Sequence, residues 1–247
     1  MVLLGEVHDN EAQHALRAQA LRRLVERGAR PAIAFEQFDR ERQPDLDRAR
    51  GSVLPAGVAR ADHIAEQAGF AKSWNWDLYR PYLQLALDYD LPIVAANLSR
   101  ADAMRVARQD FSAAFDRSIQ AEHGLDRLSP RFLREHELAV AIGHCNLMRE
   151  SMLPALARAQ IARDLALARA IRPYIGRGVV LLAGNGHVRN DIGVPFFLSA
   201  DERARAITIG LLEEGGALAH EPRPPFDVVI VTPAQRRDDP CEKLRTR

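Results

Sequence analysis

Six short apolar runs, separated by stretches of helical periodicity, constrain the fold more than any other feature of this sequence. They cover residues 2–4, 32–35, 93–96, 179–183, 206–212 and 228–231. Most are apolar on both faces, which is typical of strands that helices cover on each side of a parallel sheet. Between the first two runs, apolar residues recur at helical spacing and Gly28 follows as a stop signal. The sequence therefore predicts an α/β fold with a mostly parallel sheet.

The interval between the third and fourth runs is too long for a simple crossover. Ser99 and Asp102 form the pattern of a capping box that opens a helix. An apolar stripe marks the last helix of the interval at Ala157, Ile161, Leu165, Ala168 and Ile171. We expect a largely helical insertion over residues 99–175, either a subdomain or a lid. It lies within a single domain over residues 1–231, followed by a polar, frayed tail over residues 232–247.

The composition narrows the class of protein. With 247 residues, of which 47% are hydrophobic and 27% charged, the chain suits one globular domain with a sizeable core. A formal net charge of +1 gives no global attraction to nucleic acid or to an anionic membrane. No apolar run approaches the roughly 20 residues needed to cross a bilayer. Cys145 and Cys241 allow a disulfide, but nothing in their spacing argues for one.

The first residues resemble a core strand rather than a signal peptide. A chain that begins inside its first strand is consistent with the loss of an upstream segment. The sequence therefore does not define the cellular location.

Polar side chains directly follow several of the predicted strands. Glu6 and His8 come after the first strand, Glu36 after the second, and His187 after the fourth. Because the carboxyl ends of parallel strands share one edge of the sheet, where ligands bind, we expect these side chains to converge. Imidazole and carboxylate suit Zn, Mn, Fe or Co, and two histidines with one carboxylate leave positions open for water or substrate. The sequence predicts a metal site formed by His8, Glu36 and His187.

Both histidines belong to short Gly-x-x-His turns, Gly5 to His8 and Gly184 to His187. Glycine lets the backbone turn sharply and approach a ligand without a Cβ in the way. A purely structural interpretation stays open beside this one, since polar residues after strands often serve only as helix caps, as Asn10 is suited to do.

A second cluster consists of His144, Cys145, Met148 and Met152. Cysteine and histidine bind soft metals or haem iron. The alternative is the end of a helix at which methionines fill gaps in the core.

A third cluster is the aromatic segment 74–82, which contains Tyr79 and Tyr82. Clustered aromatic rings suit a flat apolar pocket, and a tyrosine phenolate is a known haem ligand. Plain core packing, with a helix starting at Pro81, is the competing interpretation.

Several segments together resemble the ChaN family of haem-binding uptake proteins, which forms one superfamily with Tiki-type proteases and erythromycin esterases. They are LLGEVHDN, FEQF, WNWDLYRPY, IVAANLSR, GHCNLM, AQIARDLALA and LLAGNGHVRND. They occur in order from Val2 to about Val231, so the resemblance is more specific than any one motif.

The resemblance implies a parallel sheet with added helices and a role in haem or iron acquisition. It implies haem held in an apolar pocket between two subunits, commonly in an envelope lipoprotein, although the secretion signal of such lipoproteins is missing here. Tyr79, Tyr82, His144 and Met148 are the candidates for contact with haem.

Dinucleotide, phosphate-loop and serine-hydrolase motifs are not found.

The superfamily's metal-dependent members use paired Gly-x-x-His turns and a glutamate, which correspond here to His8, His187 and Glu36. Two functions therefore compete. One is haem binding without turnover, and the other is metal-dependent hydrolysis with Glu6 or Glu36 as the general base.

Overall fold

The computed structural model describes residues 1–54, 56–71, 73–238 and 241–242. The described residues form six strands: β1 (Val2–Leu4), β2 (Ala32–Asp39), β3 (Ile93–Asn97), β4 (Val179–Leu182), β5 (Ile207–Glu213) and β6 (Val228–Thr232). All five neighbouring pairs are parallel, in the order β3-β2-β4-β1-β5-β6. The predicted α/β class and the parallel sheet are confirmed.

The described part of the chain also contains ten α-helices. They are α1 (Glu11–Glu26), α2 (Gln43–Gly51), α3 (Arg60–Gln67), α4 (Trp76–Asp88), α5 (Arg100–Arg108), α6 (Arg117–Glu122), α7 (Pro130–Gly143), α8 (Leu153–Ile171), α9 (Asn185–Val188) and α10 (Ala200–Ala204). Helix α1 stops just before Gly28, which has a φ of 96° that disfavours any residue with a Cβ.

Two apolar layers enclose the sheet, because successive strand residues point to opposite faces. On β1, Leu3 packs into one layer with α5, α7 and α8, and Leu4 packs into the other with α1 to α4. Strands β2, β3 and β4 are buried on both faces, although β3 lies at an edge of the sheet. This accounts for their continuous apolar runs in the sequence.

The long helical interval forms one of these two layers. Helix α8 is buried along much of its length and packs on β2 and β3, while α5 and α7 pack beside it. Its buried face includes the predicted stripe from Ala157 to Ile171. The insertion therefore covers the sheet directly, and its predicted bounds of residues 99–175 remain a prediction.

Two local expectations differ from the structure. Helix α4 begins at Trp76, so Pro81 lies inside it and does not start it. The segment beyond β6 is not frayed where the structure describes it, because Arg237 donates to Asp9 and to Glu213. A disulfide between Cys145 and Cys241 also ties this tail to the end of α7. Residues 239–240 and 243–247 of the predicted tail lie outside the described residues.

Among the residues described, no helix combines the length and the apolar character that are needed to span a bilayer.

Candidate functional site at the strand ends

The two Gly-x-x-His turns pack against each other at the carboxyl edge of the sheet. β1 and β4 are neighbours in register, so the chain leaves both strands side by side, and the amide of Asn185 donates to the carbonyl of Glu6 at 3.0 Å. A Cβ on Gly184 would lie 2.7 Å from Cε1 of His8. A Cβ on Gly5 would overlap the side chain of Asn185. Both glycines are therefore required by close contact between the turns.

Several polar residues at these turns have structural partners, as the competing interpretation expected. The side chain of Asn10 accepts from the amide of Gln13 and caps α1. Asn185 exchanges two hydrogen bonds with the backbone of Leu211, at 2.5 and 3.1 Å. These two residues hold the turns in place.

Glu6 lies at the centre of a buried polar cluster beneath the first turn. Its side chain is completely inaccessible to solvent, and it pairs with Arg17, which is 1% exposed. Tyr79 donates its hydroxyl to the same carboxylate, and Nδ1 of His8 lies 2.8 Å from it. His14 lies 3.7 Å away, and burial lowers the pKa of this histidine to about 4. Glu6 is therefore enclosed by the protein and reaches the crevice only through His8.

The ring of His8 is the accessible end of this cluster. Its side chain is 46% exposed and lies edge-on to Trp74, with the ring centroids 4.6 Å apart. Because Nδ1 faces Glu6, Nε2 lies on the side of Gly184 and Glu36. The carboxylate thus fixes which ring nitrogen faces the crevice.

Glu36 and His187 form a second buried pair in the same crevice. Nε2 of His187 lies 3.5 Å from Oε1 of Glu36, whose other oxygen accepts from the amide of Gly184 at 2.7 Å. Burial alone raises the pKa of Glu36, but the neighbouring His187 outweighs it and lowers the pKa to about 2. Burial disfavours the charged form of His187, and the charges of Glu36 and Asp164 overcome this and raise its pKa to about 10.

Asp164 is a member of the site that the sequence reasoning missed. Its Oδ1 lies 2.6 Å from Nδ1 of His187, and its side chain is 3% exposed. Burial raises the pKa of Asp164 to about 6, against the lowering effect of His187. The signal was present, since Asp164 interrupts the apolar stripe of α8, where an acid needs a partner.

The predicted site is assembled in part. His8, Glu36 and His187 come together at one edge, as expected, although Glu36 lies within β2 rather than after it. Within the described ranges, no group of three histidine, cysteine or acidic side chains is arranged to hold a metal ion as it stands. The arrangement consists of two imidazoles, each backed by a buried carboxylate, with Glu36 between them.

Comparison with known families identifies the chain. The family described as haem-binding uptake, Tiki superfamily, ChaN matches residues 1–198, well over half of the sequence. This chain belongs to the ChaN family.

A solved structure of a ChaN protein shows the same fold at low sequence identity. A structure of ChaN of Campylobacter jejuni, described as showing cofacial heme binding, aligns with a TM-score of 0.65 and 20% identity. The alignment covers 85% of this chain and 80% of the Campylobacter jejuni chain. An erythromycin esterase mutant in its open conformation aligns with a TM-score of 0.47 and 16% identity, over 98% of this chain and 79% of that one. No curated protein matches this ChaN-family chain.

The four residues predicted to contact haem in this ChaN-family chain lie in two places. Tyr79 and Tyr82 are completely buried in the layer that contains α1 and α4, with the hydroxyl of Tyr82 donating to the carbonyl of His14 at 2.9 Å. Burial raises the pKa of both phenols. His144 caps the end of α7 and Met148 lies in the turn that follows, outside both apolar layers, and both residues are half-buried. The structure does not bring these pairs together.

Proposed function

We propose that this chain binds haem at the end of α7 and in the turn that follows it. Family membership supports haem as the ligand, and an exposed apolar surface supports this position. Four large apolar side chains there are between 44% and 54% exposed: Leu138, Ile142, Leu147 and Met152. A haem ring needs such a surface, and an exposed apolar patch on a soluble domain commonly marks a binding site.

His144 is the proposed axial ligand on this surface. It caps α7, and its Nδ1 lies 2.8 Å from the carbonyl of Val140. A histidine that donates from one ring nitrogen to a carbonyl presents the lone pair of the other, as metal-bound histidines usually do. Met148 and Met152 belong to neither apolar core, which argues against the interpretation that they fill gaps there. The observation that carries the proposal is the position of His144, with one ring nitrogen held by a carbonyl, among these exposed apolar side chains.

Tyr79 and Tyr82 fit the role of ligand less well. Each would have to give up its hydrogen bond to Glu6 or His14, and iron would have to enter a layer from which solvent is excluded. A buried phenol with a raised pKa also resists conversion to the phenolate that binds iron. We therefore assign the haem contact to His144 and Met148.

Titration of the purified protein with haem, followed by its visible spectrum, tests this assignment. We expect a Soret band that is lost or shifted in His144→Ala and retained in Tyr79→Phe. His220→Ala is the matched control, because this histidine is exposed and lies after β5, far from α7 in the sequence. A spectrum that responds to Tyr79→Phe and not to His144→Ala would move the site to the tyrosines.

The second candidate function is metal-dependent hydrolysis in the strand-end crevice. One observation favours it: His8 and His187 both direct Nδ1 at a buried carboxylate, Glu6 and Asp164 respectively. This carboxylate–histidine pairing orients imidazoles for metal binding. His8, Glu36 and His187 would hold a divalent ion such as Mn, Co, Zn or Fe, which supplies a water of lowered pKa. Glu36 is then a ligand or base, and Glu6 acts by orienting His8.

Elemental analysis and binding calorimetry with Mn, Co and Zn test this second function. We expect about one ion per chain in the wild-type protein and a loss of that ion in His187→Ala. Binding should release protons, because the His187 imidazolium must deprotonate to become a ligand. A metal-free protein that stays inactive towards ester and peptide substrates after reloading argues against hydrolysis.

We also propose a location and an assembly for the protein. The Cys145–Cys241 disulfide suits an oxidising compartment, which supports a place on the outer side of the bacterial cytoplasmic membrane. The apolar end of α7 also suits a homodimer that encloses haem between two copies. Size measurements with and without haem test this dimer.

A further inference from the structure

We propose that Arg163 makes the strand-end crevice a binding site for a singly charged carboxylate of a small molecule. The proposal rests on the geometry of Arg163 alone, and requires neither haem binding nor hydrolysis.

Arg163 is a half-buried cation without a direct ionic partner. It precedes Asp164 on α8, and one of its nitrogens, Nη1, donates to Oδ1 of Asn97 at 2.9 Å and to the carbonyl of Leu98 at 2.7 Å. None of the described carboxylates forms an ion pair with it. Its charge is therefore held by two neutral oxygen acceptors and by solvent, without a carboxylate in direct contact.

The second edge of the guanidinium is not sealed from solvent. Nε and Nη2 of Arg163 have no acceptor among the residues described, and neither atom is fully buried, whereas Nε of Arg158 on the same helix is buried without a partner. Nε and Nη2 form one edge with two parallel N–H groups, which matches the two oxygens of a carboxylate. Arg163 therefore presents a free, bidentate anion-binding edge.

Arg163 is fixed in place beside the crevice. Asn97, which accepts from Arg163, donates to the backbone carbonyl of Glu36 at 2.9 Å. Arg163 is thus tied to the strand ends by two hydrogen bonds on one side of its guanidinium, leaving the other side free. A carboxylate bound at this free edge would lie near Glu36 and Asp164, whose charges act on Arg163.

The shape of the free edge favours a carboxylate over a phosphate. Its two parallel N–H groups match the two coplanar oxygens of a carboxylate. Glu36, Asp39 and Asp164 also lie close enough to Arg163 to act against additional negative charge on a ligand.

Amide and side-chain NMR spectra of the full chain provide the test, with N-acetylglycine as the probe and N-acetylglycinamide as its neutral counterpart. We expect N-acetylglycine to shift the side-chain signals of Asn97 and Arg163 and the amide signal of Gly184, and the neutral amide to leave them unchanged. Arg163→Lys should weaken binding by about tenfold, since lysine keeps the charge and loses the fork. Arg163→Met should abolish it.

Arg158→Met is the matched control, because Arg158 is also half-buried on α8 and donates to a backbone carbonyl. It should bind N-acetylglycine as the wild-type protein does. Equal binding by wild type and Arg163→Lys, equal response to the neutral amide, or no response in the wild-type protein overturns the proposal. Tighter binding of inorganic phosphate than of N-acetylglycine overturns the choice of a carboxylate.

Discussion

Gly184 of the second Gly-x-x-His turn lies directly against the imidazole of His8 in the first. A Cβ at position 184 would lie 2.7 Å from Cε1 and 2.9 Å from Nε2 of that ring. The two turns are therefore one structural unit, in which the glycine of one makes room for the histidine of the other.

Gly184→Ala should destabilise the protein and displace His8. The ring must move or the backbone must shift, and overpacking of this kind costs about 1–3 kcal/mol. Chemical denaturation measures the loss. Gly186→Ala is the control, since a Cβ there meets nothing within 4 Å, and it should change stability by less than about 1 kcal/mol. Equal stability of the two variants would show that the turns do not pack as described.

Arg17→Met should destabilise the protein strongly through Glu6. Both side chains are almost completely inaccessible, so the substitution leaves a buried carboxylate without its cation, at a cost of about 3–5 kcal/mol. Adding Glu6→Gln to Arg17→Met should restore part of the loss, which a double-mutant cycle measures. Arg22→Met, at an exposed position of the same helix, should stay within about 0.5 kcal/mol. Additive effects of the two substitutions contradict the pairing.

The stability that two buried histidines contribute should fall as the pH drops from about 6.5 to about 4. Burial lowers the pKa of His14 and of His136 from 6.5 to about 4, so in this range the unfolded chain binds protons that the folded chain does not. The stabilisation is complete above pH 6.5 and is lost progressively below it, by about 2–3 kcal/mol for each ring.

Denaturation at a series of pH values checks this window. His136→Gln should flatten the slope between pH 6.5 and 4, because it removes one of the two rings. His220→Gln, at an exposed position, should leave the slope as it is. Equal slopes in the wild-type protein and in His136→Gln contradict the effect of burial, because Asp164, whose pKa is raised to about 6, offsets part of the wild-type slope.

Much of the fold could be predicted because the strands are buried on both faces. Such strands give continuous apolar runs, and all six were located from them, with ends that differ by a few residues. β2 extends to Asp39 because Glu36 and Gln37, which follow the apolar run, are buried although polar. A polar residue marks the end of a strand only where the chain reaches solvent. The strand order could not be predicted, since it depends on which strands pair across long connections.

The site was predictable to the extent that its members follow strands. His8, Glu36 and His187 do so, and their convergence follows from parallel pairing. Asp164 and Arg163 come from α8, and only the packing of that helix on the sheet brings them to the same edge. The spacing of residues in the sequence does not indicate that packing. The enclosure of Glu6 by Arg17 and Tyr79 also depends on two helices, α1 and α4.

Breaking the Cys145–Cys241 disulfide should destabilise the protein by about 2–4 kcal/mol. The bond joins residues 96 positions apart, and cross-linking so long a loop restricts the unfolded chain. The bond also links the tail to the end of α7, next to His144. In the tail, Arg237 pairs with Asp9, which follows His8. Denaturation of wild-type protein with and without dithiothreitol measures the loss. The Cys145→Ser, Cys241→Ser double variant should match reduced wild type and should not respond to reductant. Alkylation of the folded, unreduced protein at either cysteine would show that the bond is not formed, whereas a normal disulfide blocks both thiols until reductant is added.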